Sequence, residues 1–233
     1  MSSRQEEKER RRREREEVEQ KAAAASARTK RLQIVGGVVV GLVIVAVAVV
    51  LVVGGGGSSD SDGPKASASS GVTLPARKIT NLEDAAKAAN CTYKSYPIEG
   101  STHVTTKVTY KTNPPTSGNH NPTPAEDGIY DPGNTPEKEH FVHSLEHGRI
   151  EFQYQPGASQ KTIDTLTAIY NEPVNGTPGY HALLFENNTG MKAPIAAAAW
   201  GQMLTCNDLS SPAIDALRDF RDRFTDKGPE FIP

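Results

Sequence analysis

His140-Phe141-Val142-His143-Ser144-Leu145-Glu146-His147-Gly148-Arg149-Ile150-Glu151-Phe152-Gln153-Tyr154 changes its period halfway along. Before Gly148 the spacing is helical. His143 and His147 are four apart and share one helix face, with His140 on that same face, whereas on a strand the pair would stand ~13 Å apart. After Gly148 the pattern is that of a strand, with Ile150, Phe152 and Tyr154 alternating. A glycine between the two can end a helix in left-handed geometry. The stretch therefore reads as a turn or two of helix running straight into a strand.

Further elements follow on either side. Asn81 can cap a short helix over residues 82–89, with Asp84 in its first turn. Val104, Thr106, Val108 and Tyr110 alternate as on a half-buried strand. Ser159 can cap a helix carrying Ile163, Leu166 and Ile169. Residues 180–186 and 194–206 read as strands, with Ala196–Ala199 ambiguous. Ser211 as cap, Pro212 at the first helical position and Ile214, Leu217, Phe220 and Phe224 on one face predict a last helix, with Gly228 as its stop. Irregular mixing of strands and helices predicts an α+β fold: one globular domain with a mainly antiparallel sheet and flanking helices. It spans residues 72–233, long enough for one core.

The N-terminal part is of another kind. Ile34 to Val53 holds only Val, Ile, Leu, Ala and Gly, 15 of its 20 residues being Val, Ile or Leu. At ~1.5 Å per residue that length matches a bilayer core of ~30 Å. Residues 34–53 thus read as a transmembrane helix, the alternative being a cleaved secretory signal. The long polar region ahead of the apolar run and the lack of a near cleavage site favour a retained anchor. Residues 1–31 carry 11 Lys/Arg against 7 Asp/Glu, and Lys21, Arg28, Lys30 and Arg31 flank the apolar block, whereas glycines and Asp60 follow it. The positive-inside rule then puts a charged tail, residues 1–33, in the cytoplasm and the domain outside the cell. Residues 54–71, rich in Gly, Ser and Asp, read as a flexible linker. A net charge of −2 over 233 residues gives no case for nucleic acid as a partner. The only cysteines, Cys91 and Cys206, would face an oxidising compartment and can pair there; two free buried thiols are the alternative.

Two segments carry chemistry. Asn113-Pro-Pro-Thr-Ser-Gly-Asn-His120-Asn-Pro122 is a rigid loop ending in an imidazole. The second is the His140–Gly148 segment itself. Four of the six histidines fall between residues 120 and 147, which points to a metal held by His120, His143 and His147, with Glu146 and Ser117 orienting the imidazoles from behind. His143-Ser-Leu-Glu-His147 also matches H-x-x-E-H, an inverted zinc-protease signature, but the β pattern that follows at once is the wrong context for it. No phosphate loop, nucleophile elbow or dinucleotide fingerprint is present.

Pro114-Pro-Thr-Ser-Gly-x-His120, then Val142-His-x-Leu-Glu-His-Gly148, Trp200-Gly201 and Gly228-Pro-Glu230 resemble the bacterial domain-of-unknown-function 3105 family, membrane-anchored extracytoplasmic proteins common in actinobacteria. The resemblance runs from about Cys91 to Glu230. It implies relatives and no activity, and it singles out His120, His143, Glu146, His147, Gly148 and Cys206. His103 and His140 fall outside its motifs.

These readings predict a single-pass cell-membrane protein whose outer domain binds copper or zinc through clustered histidines. Met191 and Met203 are candidate soft ligands that would favour copper. The second reading is a non-catalytic envelope structural or interaction protein, or an accessory subunit partnered with a membrane complex. The third is a metal-dependent hydrolase. The motifs supply metal ligands and no evident catalytic base, which favours a non-enzyme.

Overall fold

The computed structural model describes residues 63–230, apart from 67 and 69, together with Ile232. The apolar stretch 34–53 lies outside the described residues, and among those described no helix is long and apolar enough to cross a membrane. The described elements, in chain order, are α1 (Leu82–Ala88), β1 (Thr92–Ser95), β2 (Gly128–Ile129), α2 (Lys138–Glu146), β3 (Ile150–Tyr154), α3 (Gln160–Asn171), β4 (Ala182–Glu186), β5 (Ile195–Ala199), β6 (Gln202–Cys206) and α4 (Ser211–Phe224).

The fold is α+β, with one six-stranded sheet in the order β1-β6-β5-β3-β4-β2. The sheet is mixed. β1–β6, β6–β5 and β5–β3 are antiparallel, while β3–β4 and β4–β2 are parallel. The parallel half arises because β3 reaches β4 through the crossover helix α3, a connection that strand periodicity does not reveal.

Alternate residues serve the two faces of the sheet. Ile150, Phe152, Ala182, Leu184, Ala197 and Leu204 pack with Leu82 of α1, Leu166 and Ile169 of α3, and Leu217 and Phe220 of α4. Leu183 and Phe185 point the other way and meet Phe141 and Val142 of α2, with Tyr110 and Trp200 at the margin. The Ala196–Ala199 run resolves as a central strand, buried throughout, as a strand covered on both faces must be.

Local capping explains the helix starts. Asn81 accepts from Asp84 N at 3.0 Å, and Ser159 Oγ accepts from Thr162 N at 3.2 Å. The last helix begins one residue earlier than its sequence suggests, with Ser210 at the cap position and Ser211 already helical ahead of Pro212. Residues 104–110, which alternate like a strand, form none. Their neighbourhood draws its backbone bonds from side chains instead: Val108 N donates to Glu139 Oε1, and Lys111 N and Thr112 N donate to the Glu99 carboxylate. A backbone satisfied in this way needs no ladder.

Upstream of Val72 the chain also touches the domain. Lys65 bridges Ile129, and Asn171 Nδ2 donates to the Ala68 carbonyl. Cys91 and Cys206 are joined in a disulfide that extends the β1–β6 edge, where Thr92 pairs with Thr205.

Candidate metal centre

α2 ends in a Schellman motif. Arg149 N donates to Ser144 O and Gly148 N to Leu145 O, with Gly148 at φ 79°. This termination fixes His143, Glu146 and His147 on the last turn. A second segment, residues 102–104, lies parallel to His120: His120 N donates to Thr102 O, and Val104 N donates to His120 O. The bridge brings His103 beside His120, with ring centroids 5.0 Å apart. His103 and His120 each lie 4.7 Å from the His143 ring.

One ligand atom from each of His103, His120, His143 and Glu146 falls within 4.8 Å of all the others. His147 stands outside that quartet but meets it through His143, the two Nε2 atoms being 2.9 Å apart. His120, His143 and Glu146 are buried, while the His103 side chain is 46% exposed. Three of the four donors are therefore buried, and His103 reaches the surface.

Backbone carbonyls set the tautomers. His120 Nδ1–H donates to Gly118 O at 2.8 Å, and His143 Nδ1–H donates to Asn121 O at 2.6 Å. In neutral rings this leaves both Nε2 atoms with lone pairs facing the cluster, the orientation that metal-ligating imidazoles take. Burial depresses the His143 pKa to about 4, against a smaller opposing effect of the Asn121 bond. Burial likewise lowers His147. It raises Glu146, with the nearby imidazole of His120 pulling the other way.

His120 Nε2 and Glu146 Oε2 are 3.0 Å apart, yet neither makes a hydrogen bond. With Nδ1–H committed to Gly118 O, a neutral His120 turns an Nε2 lone pair toward an ionised Glu146, and two buried acceptors facing one another are costly in a protein interior. A proton shared between them or a metal cation bound to both removes that cost.

Of the residues singled out by sequence, His120 and His143 enter the quartet. Glu146 enters it as well, instead of standing behind the imidazoles. Ser117 is buried, but its hydroxyl accepts from Glu99 N at 3.0 Å and reaches no imidazole. His140 contributes its carbonyl to Ala125 N and is not in the quartet. Met203 lies in β6 and Met191 in the β4–β5 connection, both buried. His103 is the residue that sequence reasoning missed. It directly precedes the alternating run 104–110 and lies outside both motifs, so no local pattern marked it.

A family described as protein of unknown function (DUF3105) matches residues 103–230. The chain belongs to this family. The family match begins at His103 and ends at Glu230, so it covers the whole cluster but leaves α1, Cys91 and β1 outside. No curated protein and no solved structure matches the chain.

Proposed function

We propose that this family member binds a transition-metal ion, copper(II) or zinc, on His103, His120, His143 and Glu146, and that it does so outside the cell on a single-pass anchor formed by residues 34–53. The observation that carries the metal reading is the unbonded His120–Glu146 contact. Imidazole and carboxylate suit borderline divalent ions. Both cysteines are engaged with each other, so no thiolate is on offer. The Cys91–Cys206 bond fits an oxidising compartment. In this reading the domain is a metal-handling module and not an enzyme. Glu146, the general base in an H-x-x-E-H protease, here faces His120 as a ligand.

The test is metal analysis of the full chain purified in detergent without a histidine tag. Wild type should retain stoichiometric ion and gain thermal stability from added zinc. Copper(II) should quench Trp200, the only tryptophan, whose ring lies 6.0 Å from that of His120. His120→Ala and His143→Ala should lose both ion and quenching. A purely architectural cluster, as in an envelope structural or accessory protein, gives the opposite pattern: the variants melt earlier, while wild type responds to neither metal nor chelator. Protease added outside wall-stripped cells should digest the domain and spare residues 1–33.

A further inference from the structure

The quartet does not exhaust the ligands at this place. Gly228-Pro229-Glu230 crosses the end of α2, where Glu230 N donates to Glu146 O at 3.1 Å and Gly228 packs against the Glu146 carbonyl and Gly148 N. This brings the Glu230 carboxylate to 3.8 Å from His147 Nε2. Six potential donors thus form one continuous group: His103, His120, Glu146, His143, His147 and Glu230.

Their spacing divides them into two matching trios. In the first, His120 Nε2 and Glu146 Oε2 are 3.0 Å apart, and His103 Nε2 lies 3.8 Å from Glu146 Oε2. In the second, His143 Nε2 and His147 Nε2 are 2.9 Å apart, and Glu230 Oε2 lies 3.8 Å from His147 Nε2. Two donors bound at ~2.0–2.1 Å to one ion, between a right angle and a tetrahedral angle, stand about 2.9–3.4 Å apart. Both close pairs therefore have the separation of ligands on a single ion. Each trio also has one donor near the surface, the side chains of His103 and Glu230 being 46% and 52% exposed.

We propose that the cluster takes two divalent ions, the second on His143, His147 and Glu230. This rests on the single-ion reading above and deepens it. With one ion bound, His143 completes the quartet. With two, His143 serves the second ion, and each metal has two imidazoles, one carboxylate and open positions for water. Two imidazoles and one carboxylate are a recurrent ligand set for first-row metals. Each divalent charge meets one carboxylate, so neither ion is left without a counter-charge. For the second ion to bind, His147 must release any Nε2–H it donates to His143 and carry its proton on Nδ1, a tautomer change that leaves the ring neutral.

The experiment is a titration of the metal-free full chain in detergent with cobalt(II) and zinc(II), read by calorimetry, metal analysis and cobalt electron paramagnetic resonance. Wild type should take two equivalents, and the cobalt signal of the first should be altered or lost through magnetic coupling as the second binds. Glu230→Gln changes an exposed side chain and should leave the fold intact. It and His147→Ala should each bind one equivalent and show no coupling. His103→Ala should weaken the first equivalent at least tenfold. A wild type that stops at one equivalent overturns the second site and leaves the single-ion reading standing. Two equivalents unaffected by both Glu230→Gln and His147→Ala also overturn it. No equivalents at all overturn both readings.

Discussion

His143 donates its Nδ1–H to the carbonyl of Asn121 at 2.6 Å, so a ring from α2 is anchored by the loop that presents His120. That bond fixes which nitrogen faces the cluster, and burial around the ring holds its pKa near 4. In the folded metal-free protein His143 binds fewer protons than it does in the unfolded chain, where the pKa is ~6.5. The stability linked to His143 is therefore present above pH ~6.5 and is lost as pH falls toward 4. Urea melts of the metal-free protein should show this decline, and His143→Gln should reduce its slope. An unchanged slope would refute the account.

Glu151 shows the opposite sign. It is completely buried in β3, with Oε2 accepting from Gln153 Nε2 at 2.8 Å and Oε1 without a partner. Burial pushes its pKa well above the carboxylate range. Its contribution is full below the unfolded pKa of ~4.3 and fades as pH rises toward the folded value. Glu151→Gln keeps an oxygen for Gln153 Nε2 and cannot ionise, so the variant should gain stability relative to wild type as pH rises from 4 to 8. Melts at the two pH values decide the matter.

The Cys91–Cys206 bond closes a loop across a sequence separation of 115. In the chain-entropy model a loop of that size is worth up to ~4–5 kcal/mol, and measured values are usually lower. Cys91→Ser with Cys206→Ser should lower the unfolding free energy by about 2–4 kcal/mol, with no change in metal stoichiometry. Loss of the metal along with stability would mean that the β1–β6 edge supports the site directly.

Gly228 lies so close to the Glu146 carbonyl and Gly148 N that an added Cβ would overlap both. Gly228→Ala should unseat the C-terminal segment at a cost of roughly 1–3 kcal/mol, the usual range for overpacking. Hydrogen exchange should quicken at Asp226 N and Glu230 N, which donate to the Gly148 and Glu146 carbonyls. Unchanged protection at both amides would show that the contact yields without consequence.

Sequence alone determined what depends on neighbours a few residues apart. Helical spacing before Gly148 and alternation after it gave α2 and β3, and the same i,i+4 spacing brought His143 against His147. Asn81 and Ser159 announced their helices through bonds made within one turn. Tertiary structure decided the rest, because it depends on contacts between segments remote in the chain. The parallel pairing of β3 with β4 follows from a crossover. Residues 104–110 alternate like a strand, but carboxylates of Glu99 and Glu139 take up backbone N–H groups in and just beyond that run. His103 joins the cluster only because its segment lies beside His120, and Glu230 only because the C-terminal segment folds back over α2. Short-range spacing constrains dihedral angles and local hydrogen bonds, whereas the convergence of distant donors depends on how the core packs and has no periodicity to reveal it.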